Sequence, residues 1–135
     1  MERDGPRTVV AALNYGDSLI ALKRLQEAES LLRKTIPVAR RVLGKNNDIM
    51  LKMRWLYANA LYMDTSATLD DVREAVTTLE EIEPTARRVL GGAHPVTRGI
   101  EVDLRNARAA LRARESGDVE SIRELVAAMA ASRDA

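Results

Sequence analysis

The side chains that could carry out chemistry are few in this sequence. His94 is the single histidine, and the chain contains no cysteine. The lack of cysteine excludes disulfides, thiolate zinc sites and cysteine nucleophiles, and one imidazole without a second does not supply a metal-ligand set. Because Pro95 follows directly, we expect His94 to lie in a loop between helices. No metal and no cofactor is predicted.

The acidic residues include two adjacent pairs, Asp70-Asp71 and Glu80-Glu81. Successive residues of a helix point in different directions, so neither pair can serve as a matched general acid and base. Gly91-Gly92 follows an apolar helical stripe, which indicates a helix terminator rather than a phosphate-binding loop. The sequence therefore predicts no enzymatic activity.

The arginines offer a second kind of chemistry, the binding of phosphates. Arg40-Arg41 and Arg87-Arg88 fall in the last turns of predicted helices, where the helix dipole accounts for them without a ligand. Lys plus Arg number 21 and Asp plus Glu 20, so no overall field draws the chain to nucleic acid or a membrane. Weak nucleic-acid binding through arginine-rich faces is kept as a minor alternative. The third predicted helix pair carries Arg98, Arg105, Arg108, Arg112 and Arg114.

The elements that must position these residues are repeated. Residues 37–44 read Pro-Val-Ala-Arg-Arg-Val-Leu-Gly and residues 84–91 read Pro-Thr-Ala-Arg-Arg-Val-Leu-Gly, at an offset of 84 − 37 = 47. Such a duplication is typical of repeat architecture. The composition is 46% hydrophobic but only 3% aromatic, which favours closely packed helices over a β-sandwich.

Apolar residues at intervals of three and four predict six helices. Asp48 and Thr68 are predicted N-caps. Gly44 is predicted to end a helix with positive φ, and Gly91-Gly92 is predicted to end another. The predicted helices cover about 6–22, 26–43, 49–63, 69–90, 95–115 and 119–130, with a break at 116–118.

Pro37 and Pro84 fall inside the apolar stripes of the second and fourth helices. A proline cannot donate a hydrogen bond to the carbonyl four residues earlier. We therefore predict a bend in each helix, with a clean break as the lesser alternative.

Matching positions recur in the helix pairs. Tyr15-Gly16-Asp17-Ser18-Leu19 aligns with Tyr57-Ala58-Asn59-Ala60-Leu61, and Ala28 and Ala75 lie near the start of the following helices. This pattern resembles the tetratricopeptide repeat (TPR), in which the small residues lie where two helices cross closely. The units exceed the ~34 residues of an ordinary TPR. Their ending, seen at 89–95 as Val-Leu-Gly-Gly-Ala-His-Pro, resembles the long repeats of the kinesin light chain group.

The resemblance implies an all-α, TPR-like fold of three antiparallel helix hairpins in a short right-handed superhelix. One domain would cover 1–135, with repeat one at about 8–44, repeat two at about 48–91 and a C-terminal capping repeat at about 95–131. Arg105 and Arg108 occupy positions that should be small and apolar. We therefore expect the third pair to be a cap whose outer face meets water.

The resemblance also implies a concave groove lined by the first helix of each pair. Asp17, Asn59 and Asn106 are equivalent there, and an amide can both donate to and accept from a peptide backbone. Trp55 is a natural hot spot, and Lys52 would favour an acidic peptide. The alternative is that Trp55 and Tyr62 pack against the neighbouring first helix while Asn59 bridges helices. The candidate groove residues are Asp17, Lys52, Trp55, Asn59, Tyr62 and Asn106.

The function predicted on these grounds is a non-enzymatic protein-interaction scaffold that binds a peptide or helix. The alternative from another class is a structural module that self-assembles through exposed end helices, since Val9, Val10 and Leu13 lack a preceding repeat to cover them.

No apolar run approaches the ~18 residues of a membrane span, and the first residues do not resemble a signal peptide. A cytoplasmic location is expected.

Overall fold

The computed structural model describes residues 5–116 and 119–134, with side chains for 5–116 and 123–132. Gly117 and Asp118, which belong to the predicted break at 116–118, lie outside the described residues. The described residues form six helices and contain no strand, which confirms the all-α prediction. The helices are α1 (Pro6–Ala21), α2 (Leu25–Leu43), α3 (Asp48–Tyr62), α4 (Leu69–Leu90), α5 (Pro95–Ser116) and α6 (Val119–Asp134).

Consecutive helices pack against each other along the whole chain, as expected of a TPR-like repeat. The first helices of successive pairs also meet, because α1 contacts α3 and α3 contacts α5. The core between them is aliphatic and sulfur-containing, as the scarcity of aromatic residues requires. Its largest fully buried side chains include Leu19, Ile20, Leu32, Met50, Leu51, Met53, Leu61, Leu79, Ile82 and Ile100.

Small residues let the paired helices approach closely. A Cβ atom built on Gly16 of α1 would lie 3.2 Å from Leu32 Cδ2 of α2. Ala28, Ala58 and Ala75 are all fully buried. These residues hold the positions predicted for close helix crossing, where a larger side chain would force the helices apart.

The ends of the helices follow the local chemistry of the sequence. Thr68 and Asp71 form a capping box, in which each side chain accepts a hydrogen bond from the other residue's backbone N–H, both at 3.1 Å. Gly44 and Gly91 directly follow α2 and α4, where the helices were predicted to end, with positive φ of 83° and 94°. The side chain of His94 caps the start of α5, because its Nδ1 accepts from the Val96 N–H at 3.1 Å.

The predicted N-cap of α3 was wrong by one residue. Asn47, not Asp48, has the extended backbone of an N-cap, and its Oδ1 accepts from the Ile49 N–H at 2.8 Å. Asp48 instead occupies the first turn, where a negative charge is stabilised by the helix dipole. The sequence alone could not distinguish Asn47 from Asp48 as the N-cap, because Asn and Asp are both favoured at that position.

The two internal prolines do not interrupt their helices. α2 continues through Pro37 and α4 continues through Pro84, so a clean break is excluded. Both prolines are exposed. Each proline leaves the carbonyl four residues earlier without its helical hydrogen bond. That carbonyl therefore lies on the solvent-facing side of the helix, where water can bond to it.

Candidate binding groove

A groove of about 420 Å³ runs across the first helices of the three pairs. The C-terminal end of α1, the middle of α3 and the first half of α5 form its walls, and α6 contributes Ser132 to its lining. We call this feature the inner groove. Its lining residues are Ile20, Ala21, Lys23, Trp55, Gly99, Val102, Asp103 and Ser132.

A buried carboxylate holds two of the predicted groove residues in place. Asp103 of α5 is 7% exposed. Its Oδ2 accepts from the indole Nε1 of Trp55 at 2.6 Å, and its Oδ1 accepts from the hydroxyl of Tyr62 at 2.6 Å. Hydrogen bonds to an ionised acceptor are short and strong, and a buried charge requires them. The indole and phenol therefore have fixed orientations between α3 and α5.

Gly99 provides the space that the Trp55 ring occupies. A Cβ atom at residue 99 would lie 2.4 Å from both Cζ2 and Cη2 of the indole. No side chain fits at that distance, so the six-membered ring rests directly on the backbone of α5. Trp55 remains half-buried, with part of it facing the inner groove.

The two asparagines of the predicted groove are less accessible than the hypothesis requires. Asn59 is fully buried, and neither its Oδ1 nor its Nδ2 has a hydrogen-bond partner among the described residues. Asn106 is half-buried, and its Nδ2 is also buried without a partner there. Asn59 shares one face of α3 with Trp55 and Tyr62, since the spacings are four and three. A ligand could reach Asn59 only if the covering side chains moved.

The two charged candidates are not among the residues that line the inner groove. Asp17 is exposed on α1, one turn before Ile20 and Ala21. Lys52 is half-buried on α3, one turn before Trp55. A lysine that does line the inner groove is Lys23, in the α1–α2 turn with φ of 62°.

The C-terminal helix reaches the same side of the molecule. Leu125, Val126 and Met129 of α6 line a narrow crevice of about 20 Å³ together with Tyr62 of α3 and Met63 directly after it. Met129 is 5% exposed. The end of α6 then reaches the inner groove through Ser132. The apolar stripe of α6 therefore faces the surface that the first helices share.

Tyr57 joins α3 to α4 away from the groove. Its hydroxyl donates to Glu74 Oε2 at 2.7 Å, and the Arg33 guanidinium lies 5.6 Å from the ring centroid. Burial, together with the hydrogen bond to Glu74, raises the pKa of Tyr57 well above its ordinary value. This side chain serves the packing of the second pair rather than a binding site.

Two of the arginines considered for nucleic acid are held by carboxylates. Arg87 bonds Glu83 at 2.9 Å and Glu101 at 2.8 Å. Arg108 bonds Glu80 at 2.9 Å. Phosphate binding would have to compete with these pairs, so the geometry argues against the nucleic-acid alternative.

Asp103 and Gly99 were not among the predicted site residues. An isolated glycine inside a helical pattern usually has a packing reason, and this signal could have drawn attention to residue 99. Asp103 gave no comparable signal, because acidic residues are common on the exposed faces of helices. Its role depends on two partners that lie 48 and 41 residues earlier in the chain.

The fold and the groove define a helical-repeat protein whose first helices line a shared surface. In agreement with this, residues 8–48 match the family model of the tetratricopeptide repeat. The matched range covers most of α1, all of α2 and the start of α3, so it identifies the first helix pair as TPR-type. No curated protein and no solved structure matches the chain. Among the described residues, no helix is both long and apolar enough to cross a membrane.

Proposed function

We propose that this chain is a non-enzymatic protein-interaction scaffold that binds a peptide or a helix in the inner groove. The observation that carries the proposal is the fixed position of Trp55. Asp103 orients its indole, Gly99 supports its ring, and part of it lines an open groove. A large aromatic side chain held rigid before binding is the usual centre of an interface, because little conformational entropy is lost when the partner arrives.

Further properties belong to the same proposal. The 47-residue offset and the His-Pro loop support a long-repeat module of the kinesin light chain-like type, with a single domain over 1–135. The proposed partner is a protein segment, and Lys23 in the groove supports an acidic one. Repeat proteins present extended concave surfaces for this purpose. The proposed location is the cytoplasm.

The test compares two exposed valines. Val102 lines the inner groove and is 37% exposed, whereas Val89 near the end of α4 is 46% exposed and is not part of the groove lining. Peptides are selected from a random library on the full chain, and their affinities are measured for Val102→Asp and Val89→Asp. We expect Val102→Asp to weaken binding about tenfold or more and Val89→Asp to leave it unchanged.

Both variants should give the helical circular dichroism of the parent chain, because neither valine is buried. Selected peptides whose affinity does not respond to Val102→Asp would contradict the proposal. The same conclusion would follow if the library yielded no binder at all.

Self-assembly is a second candidate, favoured by the exposed face of α1. Val10 and Tyr15 of α1, and Leu22 directly after it, are large side chains that remain exposed. In sedimentation velocity, this candidate predicts a mass that rises with concentration and returns to that of the single chain in Leu22→Lys. A constant monomer mass would exclude it.

A further inference from the structure

The described side chains of α6 form an apolar stripe. Leu125, Val126, Met129 and Ser132 are spaced at i, i+1, i+4 and i+7, which places them along one face of the helix. The first three line the narrow crevice that Tyr62 and Met63 also line, and Ser132 lines the inner groove. α6 thus lies at the edge of the surface that the first helices share.

The attachment of α6 differs from that of α2 and α4. Among the described residues, the backbone of α6 comes close to α5 alone, whereas α2 and α4 each lie against two helices. A shallow, solvent-open cleft of about 510 Å³ lies along parts of α5 and α6. It is lined by Ala109, Arg112, Ala113, Ser116, Glu124 and Leu125. A helix that packs against a single neighbour needs less free energy for local opening.

We infer that the ligand of the inner groove is an amphipathic helix with the apolar spacing of α6, and that α6 is its intramolecular competitor. This inference rests on the proposed function and names the class of partner. The ligand helix would present large apolar side chains at i, i+1 and i+4 to Tyr62 and Met63, and a small residue at i+7 to the groove beside Trp55. It would bind where α6 now lies.

Competition has a measurable consequence for affinity. A tethered helix acts at a high effective concentration, so α6 occupies the site in most molecules. The apparent association constant for a free helix is then the intrinsic constant multiplied by the fraction of molecules in which α6 is displaced. Weakening the contact of α6 should strengthen binding of the free helix.

The experiment uses a labelled synthetic peptide of residues 119–134 as the ligand and the full chain as the receptor. Met129→Asp in the receptor removes the buried anchor of α6. Ala128→Asp is the matched control, because Ala128 is exposed on the same helix. We expect the peptide to bind Met129→Asp about tenfold or more tightly than the parent chain, with Ala128→Asp resembling the parent. The peptide carrying its own Met129→Asp change should not bind.

Equal binding to the parent chain and to a folded Met129→Asp variant would overturn the inference. A second design covers the case in which this variant loses helical structure. The chain has no cysteine, so Met63→Cys with Val126→Cys allows α6 to be clamped to α3 by a flexible bis-maleimide. The clamp should abolish peptide binding, whereas the unclamped double variant should bind, and binding that survives the clamp would contradict the inference.

The two proposals can fail separately. Library peptides that respond to Val102→Asp but are not displaced by the 119–134 peptide would retain the groove function and overturn the role of α6. Library peptides that ignore Val102→Asp would overturn the proposed function itself.

Discussion

Trp55 and Asp103 join α3 to α5 through a hydrogen bond of 2.6 Å from the indole Nε1 to a carboxylate that is almost fully buried. The same carboxylate accepts from Tyr62, which lies about two turns further along α3. One acidic side chain therefore fixes both aromatic residues of the candidate groove. This relationship makes the groove dependent on residue 103.

Replacing Asp103 by Asn should destabilise the protein. Trp55 can only donate, so it takes the single amide oxygen and the amide nitrogen faces the Tyr62 hydroxyl. The Tyr62 bond must then reverse its direction, and both bonds lose their ionised acceptor. The expected loss in the free energy of unfolding is about 1–3 kcal/mol, measured by urea denaturation with Trp55 fluorescence as the probe. Val102→Asn, at the exposed neighbour, is the control and should cost far less. A fully stable Asp103→Asn variant would show that these bonds contribute little.

Gly99→Ala should disturb the contact between Trp55 and α5 at the face of the indole ring. The added methyl group would overlap the indole ring at 2.4 Å, so Trp55 must move and its bond to Asp103 must lengthen. We expect a loss of about 1–3 kcal/mol and a changed fluorescence maximum. Gly92→Ala is the matched control, because its nearest neighbour is the flexible end of Arg87 at 3.4 Å. Similar stabilities of the two variants would refute the packing role of Gly99.

The capping box of α4 gives a local prediction. Thr68→Ala removes the hydroxyl that accepts from the Asp71 N–H, and the loss of such a cap costs about 1 kcal/mol. Thr77→Ala, at an exposed position inside the same helix, should be neutral or slightly stabilising because alanine is the better helix former. Thermal unfolding of the two variants tests this, and equal melting temperatures would count against the cap.

Tyr57 predicts how stability changes at alkaline pH. An unfolded tyrosine ionises near a pKa of about 10, whereas burial and the hydrogen bond to Glu74 raise the pKa of Tyr57 in the folded protein. Above about pH 10 the unfolded chain has lost a proton that the folded chain retains. The free energy of unfolding should therefore fall as pH rises, by at most about 1.4 kcal/mol per pH unit for this group.

Tyr57→Phe cannot ionise, so it should lack this part of the pH dependence. In urea unfolding from about pH 8 to about pH 11, the parent chain should be more stable than Tyr57→Phe at the lower pH. The difference between their free energies of unfolding should shrink toward the higher pH. Tyr15→Phe, at an exposed tyrosine, is the control and should follow the parent. Parallel curves for the parent and Tyr57→Phe would contradict the raised pKa.

Much of the architecture could be predicted because it depends on patterns of residues that are close together in the sequence. The 47-residue duplication and the apolar spacing predicted the helices and their pairing, and Thr68, Gly44 and Gly91 mark helix ends where they were expected. Asn47 shows the limit of such reasoning. Two adjacent residues were both suitable caps, and the backbone geometry selected one of them.

The candidate site could be predicted in part. The sequence placed Trp55, Asn59 and Tyr62 on one face of α3, because that follows from helical periodicity. It did not predict that Asn59 would be fully buried without a partner, or that Lys23 would line the groove. Those outcomes depend on how closely α1, α3 and α5 approach each other.

The sequence by itself determined the helices and the helix ends at Gly44, Thr68 and Gly91, because each of these depends on residues within one or two turns of one another. The repeat was visible as a duplicated phrase in the sequence. Only the tertiary structure decided that Asp103 would bond Trp55 and Tyr62, which lie 48 and 41 residues away, and that Met129 of α6 would pack on the side shared by the first helices. Such contacts are set by the angles and distances between whole helices, which no local pattern of residues specifies.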